Sequence, residues 1–239
     1  MSADPRRIVI AIDGPAGAGK STIARETAFK LDYTYVDTGA MYRAVGLLAH
    51  EQGIALDDAP RLTELVAGLD FSFPWVDGVL HTVVNGRDIS GLIRTPEGGM
   101  RASTVSKVPE VRAALVDRQR ALATDGGVVM EGRDIGTVVF PDAELKVFLT
   151  ASARVRGERR WKQLRDKGDV STTLESVIAD IERRDHQDST RAVAPLRPAA
   201  DSVVLDTSKM DIPRVKRAVL RLAHARQEGL DLTADALAD

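Results

Sequence analysis

Cysteine is absent from all 239 residues. That excludes disulfides, thiolate zinc sites and thiol nucleophiles together, and it suits a chain expected in the cytoplasm. Aromatic side chains make up only 4% of the chain and the formal net charge is −2. A basic, aromatic-bearing face of the kind that holds nucleic acid is therefore not expected, nor is attraction to an anionic membrane. Long apolar runs are missing as well. The run nearest the N-terminus, Ile8 to Ile12, is too short for a secretory core or a membrane span. Histidines 50, 81, 186 and 224 are scattered without an H-E-x-x-H spacing, so no histidine metal site is expected. No internal repeat is present, and the tail after Gly229 reads as a frayed end.

Hydrophobic residues at 44% and charged ones at 28% are ordinary for a globular chain. The length allows one α/β domain with insertions, or two small domains. Arginine outnumbers lysine by 25 to 8. A guanidinium suits bidentate phosphate contacts, but genomic base composition gives the same bias, so only arginines inside a motif count as evidence.

The strongest motif follows the first apolar run. Gly14-Pro15-Ala16-Gly17-Ala18-Gly19-Lys20-Ser21-Thr22 fits G-x-x-x-x-G-K-[ST], with a strand before it and a helix after it. The glycines let backbone N–H groups wrap around phosphates, Lys20 reaches the β/γ-phosphates, and the Ser21 hydroxyl is placed to ligate Mg²⁺. The anion also sits on a helix N-terminus. Ile23, Ala24, Thr27, Ala28 and Leu31 mark the face of that helix that packs back on the sheet. A dinucleotide fingerprint starting at Gly17 would need a glycine where Thr22 stands. The chain is expected to bind a nucleoside triphosphate.

Five apolar runs, Ile8–Ile12, Tyr33–Val36, Val128–Met130, Leu145–Leu149 and Val203–Leu205, read as parallel strands covered on both faces, with helical stretches between them. A final helix is expected from Asp211 as N-cap, with Pro213 in its first turn, to Gly229. Two stretches break the alternation. Between about 56 and 101, the pattern Phe71-Ser72-Phe73, then Leu80 to Val84, Asn85-Gly86 and Arg87 to Ile89, predicts a small antiparallel insertion. Residues 152 to 191 are helical, carry arginines 154, 156, 159, 160, 165, 183, 184 and 191, and divide at Gly168.

Ligands of open α/β sheets bind beyond the C-terminal strand ends. Besides the phosphate loop, two such ends are polar: Asp37 to Arg43, and Glu131-Gly132-Arg133-Asp134. The latter follows an apolar strand and resembles a Walker B segment, which assigns Glu131 to a water held on Mg²⁺. For Asp37 and Glu131 the structural alternative is helix capping or a turn. Leu174, Val177, Ile178 and Ile181 form an apolar helical stripe that continues in phase into Arg184, Asp185, Asp188 and Arg191. Either this end is solvated or it overhangs a charged ligand. Ser208-Lys209-Met210-Asp211 imitates the guanine-reading N-K-x-D, but its first residue is wrong and Asp211 is needed as a cap.

These residues resemble the bacterial cytidylate kinases, a family of nucleoside monophosphate kinases, over nearly the whole chain from Ile8 to Arg226. The resemblance is carried by IDGPAGAGKST at 12–22, DTGAMYR at 37–43, IRTPE at 93–97, VRAALVDRQR at 111–120, EGRDIGTVVFPDA at 131–143 and RAVAPLRPAAD at 191–201. It implies an α/β, P-loop NTPase three-layer fold with a central five-stranded parallel sheet. The core would comprise 1–55 and 102–239, the monophosphate-binding insertion 56–101, and a helical lid 152–191. It implies transfer of the γ-phosphoryl of ATP to CMP or dCMP with Mg²⁺. Carried over by position, the acceptor site is Asp37, Thr38, Tyr42, Arg43, Ser103, Arg112, Arg133, Asp134, Arg184, Asp188 and Arg191. Thr38 stands where a serine is common in the family. Lys20, Arg133, Arg156, Arg159 and Arg160 form the expected catalytic set, and Ser21 and Glu131 the metal set. For Arg184, Asp188 and Arg191 the resemblance favours the ligand-facing alternative. A monomer is expected, with neither nucleic acid nor membrane as partner. The rivals are a P-loop kinase for UMP, AMP or a metabolite, a nucleotide switch without guanine motifs, and a nucleic-acid-stimulated ATPase.

Overall fold

Alternating apolar and helical stretches close into an α/β structure in the computed structural model, which describes residues 6–231. In chain order the elements are β1 (Val9–Asp13), α1 (Lys20–Leu31), β2 (Thr34–Asp37), α2 (Thr38–Glu51) and α3 (Ala59–Ala67). Five two-residue strands follow: β3 (Phe71–Ser72), β4 (Trp75–Val76), β5 (Val79–Leu80), β6 (Val83–Val84) and β7 (Arg87–Asp88). Then come α4 (Ser90–Ile93), α5 (Pro96–Val105), α6 (Pro109–Ala121) and β8 (Val128–Gly132). After β8 a π-helical turn (Ile135–Val139) leads to β9 (Leu145–Thr150), α7 (Ala153–Asp166), α8 (Leu174–Thr190), β10 (Val203–Asp206) and α9 (Ile212–Gln227). The chain forms two compact units, residues 1–35 with 125–239, and residues 36–124. The frayed tail expected from the sequence lies, from residue 232 on, outside the described residues.

A five-stranded parallel sheet, ordered β10-β9-β1-β8-β2, is the frame of the first unit, and the chain leaves that unit within β2. All five strands fall on the expected runs. Their registers bring Ile12 opposite Glu131 and Val147, and Asp13 opposite Gly132 and Phe148. Ile10, Ile12, Met130, Leu145 and Leu149 are fully buried, as a doubly covered sheet requires. β8 runs two residues further than the apolar pattern indicates, because the last residues of β1 continue the parallel ladder with it. Glu131 is thus inside the strand and not beyond its end. The π turn has no sequence counterpart among the expectations. Val138 and Val139 both donate to the Asp134 carbonyl, and Phe140 donates to that of Ile135. The helical hairpin forms as expected: Gly168 has a φ of +88° between α7 and α8. A Cβ on Gly157 of α7 would lie 2.4 Å from Ile178 of α8, so the apolar stripe packs on a glycine gap. Asp211 caps α9 by accepting from the Arg214 N–H at 2.8 Å, which settles its role as structural.

In the second unit, Asp37, Asp58 and Thr95 cap α2, α3 and α5 through their side chains. α2 packs closely on α5, where a Cβ on Gly46 would lie 2.7 Å from that of Arg101. Asn85-Gly86 turns the β6–β7 hairpin with φ values of +49° and +77°. A second hairpin, β4–β5, turns at Asp77-Gly78.

Candidate active site

The phosphate loop leaves β1 through Gly14, whose φ is +146°. A Cβ there would stand 2.0 Å from the Leu149 carbonyl oxygen of β9, so only glycine fits. Gly14→Ala should therefore lose nearly all nucleotide binding and lower Tm by several degrees, about 2 kcal/mol or more from the backbone strain alone. Calorimetry and ATP titration check both effects; a variant that binds ATP normally would show that the loop has room to move. Gly19, at φ +98°, precedes α1, and no side chain caps that helix. Its first N–H groups are left for an anion.

Lys20 opens α1 at 6% exposure and donates to the Pro15 carbonyl at 2.8 Å. Burial pulls its ammonium down from 10.5 to about 7. Arg133 pulls in the same direction, while Glu131, Asp13 and Asp188 push back. These charges, spread over β1, β8, the segment after β8 and α8, therefore converge on the loop lysine. Ser21 is exposed and Thr22 half-buried beside it. Glu131, 4% exposed, accepts a hydrogen bond from the Tyr35 hydroxyl.

Three of the four charged residues at the end of α8 are tied into the same unit by ion pairs. Asp188 pairs with Arg133 at 2.8 Å, and Arg191 lies 3.5 Å from Asp134. Asp185 holds Arg156 through both oxygens, at 3.0 and 2.5 Å. Arg184 is exposed. The three arginines expected on α7 behave differently from one another. Arg156 is buried and also donates to the carbonyls of Ala151 and Ala16, the latter in the phosphate loop. Arg159 donates to the hydroxyl and carbonyl of Thr207, at 3.0 and 2.6 Å. Arg160 is exposed.

The remaining expected residues belong to the second unit. Asp37 caps α2 with one oxygen and accepts from Arg43 at 2.8 Å with the other, so the capping alternative is realised and also orients Arg43. The Arg43 Nε is buried with no hydrogen-bond partner among the described residues. Thr38 is buried. Arg112, also buried, stacks over the Tyr42 ring at 5.7 Å and donates to the Ser106 carbonyl at 3.4 Å. Ser103 is exposed on α5. Sequence reasoning gave no role to Asp13, Tyr35 and Thr207, and placed Asp185 only on the charged face of α8. Each acts on a partner at least 29 residues away, beyond the reach of local spacing.

A parallel sheet with a phosphate loop at its edge, a buried lysine in that loop and arginine–carboxylate pairs around it define a P-loop phosphotransferase. The family model described as "Cytidylate kinase" matches residues 10–225. A cytidylate kinase of Syntrophotalea carbinolica is 48% identical over 226 residues, covering 95% of this chain and 96% of that one. One of Pasteurella multocida is 46% identical, covering 87% and 92% of the two chains. A bifunctional pantoate ligase/cytidylate kinase of a Synechococcus strain is 50% identical over 91% of this chain and 41% of its own length. The chain belongs to the cytidylate kinase family, and with it to the nucleoside monophosphate kinases. Among the described residues, no helix is long and apolar enough to cross a membrane.

Proposed function

We propose that this chain transfers the γ-phosphoryl of ATP to CMP and dCMP, giving ADP with CDP or dCDP. One observation carries the reading beyond family membership. Arg133 lies near enough to Lys20 to depress its ammonium, and two cations, one buried and one half-buried, are brought together where an anion is to be held. Phosphoryl transfer through a loose transition state needs positioning and charge neutralisation rather than covalent help. Lys20 and the N–H groups of residues 14–22 hold the donor phosphates. Arg133 and Arg43 orient the acceptor phosphate, and the unpartnered Nε of Arg43 suits that role. Among the α7 arginines, Arg156 and Arg159 hold the loop and its surroundings, since protein acceptors already engage them. Arg160 is the one left to approach the transferring group. Residues 152–191 act as the lid that excludes water, and 56–101 as the insertion of the monophosphate-binding domain.

The donor set suits Mg²⁺. Among the described residues Ser21 offers an exposed hydroxyl with no internal partner, and Glu131 a buried carboxylate within electrostatic reach of Lys20. One or two protein oxygens beside phosphates and waters are what that cation uses. When bound, it supplies charge neutralisation at the donor phosphates.

Base choice follows from donor and acceptor polarity. The Asp134 carboxylate accepts from the cytosine N4 amino group, while Arg112 and Ser103 donate to ring acceptors, and Tyr42, Thr38, Arg184, Asp188 and Arg191 complete the acceptor set. Uracil reverses the polarity at both ring edges and leaves buried groups unpaired. A monomer working in the cytoplasm, where these nucleotides are, completes the proposal. An acceptor screen with ATP tests it: CMP and dCMP should lead UMP and AMP by about 10²-fold or more in kcat/KM. UMP or AMP in the lead, or ATP turnover without any monophosphate, would overturn it.

A further inference from the structure

Asp13, the last residue of β1, is 5% exposed; it falls within the 12–22 segment but precedes the phosphate-loop pattern that starts at Gly14, and no role has been given to it above. Its carboxylate accepts two backbone N–H groups across 122 and 123 residues of chain: Ile135 at 2.9 Å and Gly136 at 2.7 Å. These are the first two amides of the π turn, the groups that a helical start leaves without an internal partner. The residue at the N-cap position of that turn is Asp134, and its side chain makes no capping bond. An aspartate at such a position ordinarily folds back onto those amides. Here the amides are already taken from the neighbouring strand, and the Asp134 carboxylate lies 3.5 Å from Arg191 instead.

Both ends of this clamp are rigid. On the Asp13 side the next residue is Gly14, pressed against the Leu149 carbonyl with no room even for a methyl group. On the other side Ile135 is buried, and the Gly136 backbone sits against the stem of Lys146. Arg133 and Asp134 immediately precede the clamped amides, so the phosphate loop and these two residues share one fixed frame. Burial raises the Asp13 carboxyl from 3.8 to about 6 in spite of the two N–H groups. A solvation penalty of that kind is tolerated where geometry has a use.

We propose that Asp13 is a positioning residue for the acceptor base: it caps the π turn from β1 and so keeps the Asp134 carboxylate turned out of the cap and available to cytosine. This rests on the role assigned to Asp134 above. Asp13→Asn keeps the shape but sets an amide N–H against a backbone N–H. Asp13→Ser keeps one acceptor without adding that clash. Either variant should raise the KM for CMP about tenfold, with the KM for ATP changed by less than about threefold and the CMP preference over UMP reduced. In an Asp134→Ala background the same change at Asp13 should add less than about twofold, because the group it positions is gone. Equal losses for ATP and CMP, or full additivity with Asp134→Ala, would reduce Asp13 to a structural residue. Amide hydrogen exchange on the wild-type protein decides the matter even if the variants fold poorly. Ile135 and Gly136 should be protected before CMP is added; protection that arises only with CMP would overturn pre-positioning. Should Asp134→Ala alone weaken ATP and CMP alike, the role of Asp134 falls, while the exchange result still decides whether Asp13 is the cap.

Discussion

Lys20→Met is expected to abolish most of the activity while making the nucleotide-free protein more stable. The activity loss follows from chemistry: the ammonium is the loop's only side-chain cation aimed at the donor phosphates, and kcat/KM should fall by about 10³-fold or more. The stability gain follows from burial. Lys20 is held out of water, and its ammonium is lowered from 10.5 to about 7 by desolvation first and Arg133 second. The folded chain thus binds that proton less tightly than the unfolded chain. Between about 7 and 10.5 the unfolded state carries the extra proton, so the wild type gains stability as pH rises across that window. Below it both states are protonated and the full penalty of the buried ammonium remains. Methionine has a similar length and no charge, so it removes both the penalty and its pH dependence. Thermal unfolding of the two proteins should show the variant ahead, by most near pH 6.5 and by least near pH 9. A gap that did not narrow with rising pH would mean that Lys20 is not destabilising the fold through its charge.

Asp134→Ala should separate the two substrates. The carboxylate is buried beside Arg191, and its removal takes one ion-pair partner from that guanidinium and the acceptor from the cytosine amino group. The KM for CMP should rise about 10²-fold, with ATP altered by less than about threefold and the margin over UMP largely gone. Steady-state kinetics with each nucleotide varied in turn give the answer. Equal weakening of ATP and CMP would refute the base-reading role, and so would unchanged discrimination against UMP. The comparison bears on Arg191 too, because the loss of its ion pair with Asp134 can loosen the α8 end; thermal unfolding of the variant separates that loss from the kinetic one.

The phosphate loop was legible because its requirements are local: glycines for positive φ, a lysine and a hydroxyl at fixed offsets, and a strand and helix on either side. The five strands were legible for the same reason, as were the caps at Asp211 and the turns at Gly168 and Asn85-Gly86. Asp77-Gly78 carries the same turn chemistry as Asn85-Gly86 and turns the β4–β5 hairpin, but no expectation was placed on it. The charged end of α8 shows where pattern stops. Its phase said that Arg184, Asp185, Asp188 and Arg191 share a face, and both a solvated end and a ligand-facing end satisfied that phase. The ion pairs of Asp188, Asp185 and Arg191 with Arg133, Arg156 and Asp134 lay outside that phase, since the partners come from other elements. Arg156, Arg159 and Arg160 of α7 were indistinguishable as letters. Packing made one a buried brace for the loop, tied another to Thr207 and left the third exposed.

Local chemistry along the chain was therefore enough to determine an α/β fold, a triphosphate-binding loop and a family. What a carboxylate does was decided only when distant strands met. Asp13, Glu131 and Asp134 are the same kind of group in the sequence. The tertiary structure makes one a cap for a turn more than a hundred residues away, one a buried acceptor for the Tyr35 hydroxyl, and one the neighbour of Arg191. The reason is physical: φ and ψ preferences act over a few residues, whereas desolvation and charge pairing depend on whatever the fold brings within a few ångströms.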